Sequence, residues 1–294
     1  MDRIALALLA WYEQARRDLP WRSPRTSAWG VYVSEIMAQQ TQVERVVPIW
    51  RAWMKRWPNA AALAAAKPAD VLRAWDRLGY PRRALWMHQA ATKIVNEHGG
   101  RVPRDEAALR SLPGVGEYTA GAILAFAFKQ RALVLDVNVR RVHARIFFGT
   151  ESPAASITNA EREHHENFLP QDNDTASTLA QAVMEFGALV CTAKNPACDT
   201  CPLRKQCAWA KAGFPSSATP KRKQPKFDGT DRQCRGALMR VLRDADGPVA
   251  HSQLEAAWAD ALQRERCLDG LVADGLVVPL ARKRFALPGD HAVR

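Results

Sequence analysis

The stretch Leu112-Pro113-Gly114-Val115-Gly116, continued by Glu117-Tyr118-Thr119-Ala120-Gly121, an apolar helical run to Phe128 and then Leu133-Val134-Leu135-Asp136, decides how this chain is read. Two glycines one residue apart, behind a proline, stand between two segments of helical pattern. Glycine permits the positive φ that a hairpin between helices demands, and without a side chain its amide can approach an anion. A helix N-terminus follows at once and adds its positive dipole end to those amides. Asp136 ends an apolar run where a further helix, Asn138 to Phe148, is predicted to begin. On these residues alone the stretch is either a small phosphate-gripping device or a purely structural helix–turn–helix with an Asp N-cap.

Upstream of the hairpin, Ser27 is predicted to cap a helix running to about Gln40, with apolar residues nearly all the way round, as in a helix buried within its domain. Glu35 sits in the middle of it. A carboxylate in an apolar wall either finds a strong partner or takes a raised pKa, and the second option is what a general acid needs near neutral pH. The helix runs into Gln39-Gln40-Thr41-Gln42, whose amides and hydroxyl suit either base edges or a helix end. Residues 2–17, Val43–Trp57, Pro68–Leu78, Arg82–His98 and Asp105–Ser111 carry helical spacing, most simply as core helices. Leu78-Gly79-Tyr80-Pro81-Arg82-Arg83 offers an aromatic tip flanked by two arginines, a pattern able to wedge into a base stack while the charges grip phosphates. Trp21-Arg22, in a proline-broken loop, is either a packed tryptophan or a pair that holds a flat ring. Residues 154–171 are polar and His-rich without ligand spacing.

Downstream, a helix over Asp174–Val190 delivers the chain to Cys191-x6-Cys198-x2-Cys201-x5-Cys207. Four thiols within seventeen residues point to metal. Only one gap is short, so the spacing suits a cluster held by four thiolates better than two zinc knuckles. Cys234 and Cys267 read as ordinary buried cysteines.

The totals agree with a polyanion-binding globular protein. The 294 residues suffice for about two domains; 47% are hydrophobic and 24% charged, and Lys+Arg outnumber Asp+Glu by 42 to 30, giving +12. That surplus favours nucleic acid first and an anionic membrane second. Met1-Asp2-Arg3 is not a secretory n-region and no apolar run reaches spanning length, so a cytoplasmic protein with no membrane partner is expected.

Taken together, the glycine hairpin, the Asp twenty residues beyond it and the cysteine spacing resemble the helix–hairpin–helix DNA glycosylase superfamily. Within it, Ser34-Glu35-Ile36-Met37-Ala38-Gln39-Gln40-Thr41-Gln42-Val43, Gly79-Tyr80 and Leu112–Gly116 resemble the adenine DNA glycosylase (MutY) family over roughly residues 15–215. The resemblance implies an all-α fold, a six-helix domain and an iron–sulfur helical domain with the DNA cleft between them, and removal of adenine mispaired with 8-oxoguanine or guanine in double-stranded DNA by a monomer. It implies that Glu35 is the general acid/base toward the adenine ring and that Asp136 stabilises the oxocarbenium-like sugar, directly or as a transient covalent partner. Tyr118 and Asn138 would support that carboxylate, Arg22 would line the flipped-base pocket, and Gln40, Thr41 and Tyr80 would work at the gap left in the duplex. Gly114 and Gly116 would hold a phosphate, and Cys191, Cys198, Cys201 and Cys207 a 4Fe-4S cluster. Endonuclease III-type relatives carry a lysine nucleophile where this chain has Tyr118, so base removal without efficient strand cleavage is expected. Pro81 and Val137 depart from the family pattern. A thymine-removing mismatch glycosylase and a non-catalytic iron–sulfur DNA-binding protein are the rival readings.

The expected domains are residues 1–25 with 135–215 around the cluster, 26–134 containing the helix–hairpin–helix, and 221–294. After a linker at 220–226 the chain is too short for the Nudix-like β-rich domain with which many of these enzymes end. Arg232–Asp244, Ser252–Trp258 and Ala261–Asp274 instead read as three helices, followed by a hairpin of Val277–Leu280 and Lys283–Leu287: a small winged-helix-like α+β module, for DNA contact or for packing alone.

Overall fold

The computed structural model describes residues 1–216 and 227–290; the expected linker at 220–226 lies outside them. The regular structure of the first 216 residues is entirely helical. In order come α1 (Arg3–Ala15), a 3₁₀ turn (Pro20–Arg22), α2 (Ala28–Ala38), α3 (Val43–Arg56), α4 (Ala60–Ala64), α5 (Pro68–Ala74), α6 (Arg82–Glu97), α7 (Glu106–Arg110), α8 (Glu117–Phe128), α9 (Val137–Ile146), α10 (Asn159–Phe168), α11 (Asn173–Leu189) and α12 (Ala208–Lys211). Polar caps start these helices where the sequence supplies them. Asp2, Asn59, Asp105, Asp136, Thr158 and Asp172 each accept a backbone N–H of the first turn, and Ser27 Oγ accepts from Gly30 N at 3.2 Å. Three helices were not expected: α4 behind its Asn59 cap, the single turn of α12 after Cys207, and α10 inside the His-rich segment. There His143, His164 and His165 stack among Phe147, Phe148 and Phe168, so the histidines serve as aromatic packing. No helix of the described residues is long and apolar enough to cross a membrane.

The chain groups into two compact units, and each has its own core. The first comprises residues 1–35, 104–111 and 115–216. Its core joins Ala5, Leu8 and Tyr12 of α1 to Val139, Val142 and Ile146 of α9 and to Leu179, Val183 and Phe186 of α11. The apolar run of α8 packs its alanines against Val134 and Ala180. A Cβ on Gly121 would lie 2.1 Å from the Leu133 carbonyl oxygen, so the close approach of the Leu133 backbone to α8 requires glycine.

The second unit comprises residues 36–103, 112–114 and 227–290. Trp53, Trp57 and Trp75 meet edge-to-face at its centre, and the Trp53 and Trp75 indole N–H groups donate to the carbonyls of Ala74 and Gly79. Helix α5 stops four residues short of the predicted Leu78, in a turn where Asp76, Gly79 and Tyr80 all take positive φ. The C-terminal module runs α13 (Asp231–Asp244), β1 (Val249–Ala250), α14 (His251–Ala257), α15 (Ala261–Ala273), β2 (Val278–Leu280) and β3 (Arg284–Ala286). Its strands form an antiparallel sheet of order β1-β3-β2, with Val249 opposite Phe285 and Val278 opposite Ala286. That is the expected winged-helix order, and Cys234 and Cys267 are buried within it.

These units cut the chain elsewhere than the three expected domains, for a visible reason. Arg73 of α5 ties itself to the C-terminal module through Asp290, the Arg243 carbonyl and the Ala245 carbonyl at 2.5–3.2 Å, and Arg243 in turn donates to the Asp76 carbonyl. The module therefore groups with residues 36–103, while α8 groups with α9 and α11.

Candidate active site

Helix α2 is buried from Trp29 to Met37, and Glu35 is the one acid in that run, 7% exposed. Burial pushes its carboxyl up to about 7; the Tyr118 hydroxyl and Arg22 oppose this, and the nearby Asp136 charge adds to it. Tyr118, in the first turn of α8, donates its hydroxyl to Glu35 Oε2 at 3.4 Å and also meets Met184 Sδ at 3.7 Å. Burial, with both acids beside it, holds the Tyr118 phenol well above its ordinary range, so it remains a neutral donor. Glu35, Tyr118 and Asp136 thus stand within electrostatic reach of one another on one unit.

Asp136 is the N-cap of α9, and both its carboxylate oxygens are used: Oδ1 accepts from Val139 N at 2.7 Å and Oδ2 from Asn138 Nδ2 at 2.6 Å. Burial pushes the carboxyl upward, while those donors and Arg141 push the other way. The amide of Asn138 is itself fixed. Arg141 Nη2 donates to Asn138 Oδ1 at 2.8 Å and to the Gly187 carbonyl at 2.6 Å, and Arg141 Nε to the Cys191 carbonyl at 2.8 Å. Asp136, Asn138, Arg141 and the first cysteine are consecutive members of one hydrogen-bonded chain.

Arg22 is less available than its expected role asks. Its guanidinium is bidentate to Glu185 at 2.9 and 3.1 Å, and Arg17 grips the same carboxylate at 2.8 and 2.9 Å. Glu185 is 1% exposed; burial alone would raise its carboxyl, but the two arginines outweigh it and hold it at about 2. Glu185 and Arg141 were not singled out from sequence. Their signals were an acid inside the apolar α11 run and an arginine three residues after Asn138 on the same helix face.

In the second unit Arg83 is the organising group. It is 4% exposed and donates to the carbonyls of Ile36, Met37, Gln39, Leu78 and Gly79 and to Thr41 Oγ1, at 2.5–3.4 Å. It clasps the loop carrying Gln40 and Thr41 to the loop carrying Tyr80. Arg82 is ion-paired with Asp274. The buried Arg83 is engaged by backbone carbonyls and is not placed to grip a phosphate, while Arg82 stays half exposed in a surface ion pair with Asp274. Gln40 and Tyr80 are exposed and both take positive φ, 54° and 46°. Such strain in residues with side chains persists only where the surroundings enforce it.

At the hairpin, Gly114 has φ +80° and a Cβ there would press on Trp86 at 3.3 Å, while Gln39 Nε2 donates to its carbonyl. Gly116 differs: its φ is ordinary and a Cβ would meet nothing, yet no side chain caps the N-terminus of α8 that it begins.

Cys191, Cys198, Cys201 and Cys207 all line one cavity, with Arg145, Leu203 and Trp209. Among the described residues no three His, Cys, Asp or Glu side chains converge tightly enough for a single ion. Four cysteines around one cavity suit a cluster in which each thiolate takes a different iron. Burial pushes the Cys201 thiol up to about 11, so its thiolate needs cationic charge beside it. Arg145, 2% exposed and stacked 4.5 Å over Trp209, donates to Cys191 Sγ at 3.4 Å.

Comparison with known proteins identifies the family. Residues 33–166 match the HhH-GPD superfamily of base excision DNA repair proteins, and residues 191–207 the iron–sulfur binding domain of endonuclease III. The adenine DNA glycosylase of Mycolicibacterium smegmatis is 51% identical over 284 residues, 96% of this chain and 95% of that one. That of Mycobacterium tuberculosis is 49% identical over 286 residues, 96% and 93% of the two chains. Among solved structures, a thermostable thymine-DNA glycosylase superposes with a TM-score of 0.65 at 27% identity, over 71% of this chain and 95% of the other.

Proposed function

The chain belongs to the adenine DNA glycosylases, and from that premise we propose which of its residues break the bond and which mispair it serves. It is a base-excision-repair glycosylase that binds DNA, carries an iron–sulfur cluster and hydrolyses the N-glycosidic bond of adenine. Its substrate is adenine opposite 8-oxoguanine or guanine, and it acts as a monomer.

Glu35 is the general acid. At about 7 its carboxyl is substantially protonated near neutral pH, and a buried acid beside a departing purine can hand its proton to a ring nitrogen as the C–N bond lengthens. The bond's electron pair leaves with the base, and the sugar is left with oxocarbenium character. Asp136, its orientation fixed by Val139 N and Asn138, supplies the anion that balances this cation. Tyr118 donates to Glu35 and, having no amine, cannot form a Schiff base, so the strand stays intact. Gln40, Thr41 and Tyr80 occupy the gap left by the extruded nucleotide, whose unstacking costs a few kcal/mol. Gly114, Gly116 and the uncapped start of α8 hold a phosphate. The four cysteines hold a 4Fe-4S cluster, which when bound cross-links residues 191–207 and so fixes the carbonyl to which Arg141 is tied.

The observation that carries this reading is the buried acid at about 7 with Tyr118 and the Asp136 charge beside it. The test is single-turnover base release from duplexes carrying adenine opposite 8-oxoguanine, adenine opposite guanine, and thymine opposite guanine. Adenine is expected to leave from the first two with strands cleaved only by later alkali, and Glu35→Gln and Asp136→Asn should each lose about 10²-fold or more. Release of thymine instead, or a strong borohydride-trapped enzyme–DNA adduct, would overturn it.

A further inference from the structure

Tyr80, 50% exposed, does not stand alone. The Arg232 guanidinium, from the first turn of α13 in the C-terminal module, lies 5.5 Å from the Tyr80 ring centre and 5.7 Å from that of Phe227, itself 54% exposed. The buried Arg83 guanidinium lies 5.6 Å from the same Tyr80 ring. Tyr80 therefore has an arginine consumed by backbone carbonyls close to it and an exposed one from a different part of the chain.

The cations and acids around it can be accounted for one by one. Arg82 and Arg235 share Asp274. Arg266 takes Asp231, the residue next to Arg232. Arg243 donates to the Asp76 carbonyl, and Arg73 is bound to Asp290. Among the described residues Arg232 has no carboxylate partner; it has only two exposed aromatic rings. Ring faces hold a guanidinium by its charge without neutralising it, and leave its N–H fork free. A planar cation so held is preorganised for a phosphate, which it can take bidentately.

We propose that Arg232 is a DNA-contacting residue: held over Tyr80 and Phe227, it binds a backbone phosphate of the duplex beside the Tyr80 wedge, making the winged-helix-like module part of the DNA-binding surface. The module thus adds a phosphate grip that the buried Arg83 does not supply. The inference deepens the function proposed above and takes from it duplex DNA as the ligand and Tyr80 as the wedge. It assigns no base reading to the module, because the contact rests on a single arginine fork, taken here to a backbone phosphate rather than to a base edge.

Phosphate contact and base reading differ in what they do to salt dependence. Each phosphate neutralised on duplex DNA contributes about 0.9 to the slope of log affinity against log salt. The full chain is titrated by fluorescence anisotropy into two duplexes carrying an abasic analogue opposite 8-oxoguanine or opposite guanine, between 50 and 200 mM KCl. Arg232→Gln is expected to weaken both duplexes equally and to lower the slope by about 0.9, so that the affinity lost across that range shrinks by about 3.5-fold. Arg232→Lys should keep the slope. Phe227→Ala, which leaves the charge in place, should also keep it while weakening binding less than Arg232→Gln. An unchanged slope in Arg232→Gln overturns the proposal, as does a loss confined to the 8-oxoguanine duplex. Adenine release by the unaltered chain, measured on matched adenine duplexes, separates the two readings: a wild type that releases no adenine fails the proposed function, while the salt slope still decides the Arg232 contact.

Discussion

Gly187 of α11 lies under the residue that orients Asp136. A Cβ built there would sit 2.8 Å from Asn138 Cβ, 2.9 Å from Asn138 O and 3.1 Å from Asn138 C. Carbon atoms in contact prefer about 3.5–4.0 Å, so Gly187→Ala must move the start of α9 by roughly 0.7 Å or more. Two of the three clashing atoms are backbone, and no side-chain rotation relieves them. The Asn138–Asp136 and Arg141–Asn138 hydrogen bonds, now 2.6 and 2.8 Å, would be stretched or misaligned by a shift of that size. Overpacking of this kind costs about 1–3 kcal/mol of stability, and a misplacement approaching 1 Å of a catalytic group costs on the order of 10²-fold in rate. Thermal melting, iron content and single-turnover adenine release together test this. The expected variant keeps its iron, melts a few degrees lower and releases adenine about 10²-fold more slowly. A Gly187→Ala protein that melts and turns over like wild type would refute the claim that α11 presses Asn138 into place.

Two further predictions concern buried charge. Glu35 is raised in the folded state to about 7 from an ordinary 4.5, so the native state binds the proton more tightly than the unfolded chain does. Its contribution to stability is complete below about pH 4.5 and is lost as pH rises through about 7, a change of about 3 kcal/mol. Glu35→Gln, which cannot ionise, should therefore gain on wild type between pH 5 and pH 8 in denaturant melts; a pH-independent difference would count against the raised acid. Arg83→Met leaves five backbone carbonyls and the Thr41 hydroxyl without their shared donor, which should cost at least about 3 kcal/mol. Arg83→Lys should recover little, since an ammonium lacks the planar fork. Equilibrium unfolding of both variants checks this, and a loss below about 1 kcal/mol would contradict the clasp.

Much of the fold was legible because its signals are local. The hairpin announced itself through Pro113, Gly114 and Gly116, the start of α9 through Asp136, the buried α2 through its unbroken apolar run, and the C-terminal module through its order of helices and strands. Helices α4 and α10 were missed because an alanine run and a polar His-rich stretch carry no clear amphipathic period; packing among His143, His165 and Phe168, not patterning, makes α10. At the site, Glu35 and Asp136 were readable as an acid in an apolar helix and an acid at a helix start. What their surroundings do was not readable. That Glu185 consumes both Arg17 and Arg22, and that Arg141 links Asn138 to the Cys191 carbonyl, depends on contacts between residues up to 168 apart in the chain.

The charge surplus shows why position outweighs number. Twelve excess positive charges suggested a polyanionic partner, and DNA is the partner; yet the arginines nearest the expected contacts are largely spent inside the protein. Arg83, Arg141 and Arg145 are each less than 9% exposed and satisfy carbonyls, an amide and a sulfur. Arg17 and Arg22 together neutralise one glutamate, and Arg140 neutralises Glu161. A buried guanidinium bound to carbonyls contributes to the sequence count but little to phosphate binding, because moving it to a phosphate would strand the acceptors it leaves. The cations that can hold DNA are those the fold leaves exposed and without a carboxylate. By that criterion the arginine beside an exposed aromatic ring counts for more than two arginines adjacent to that ring in sequence.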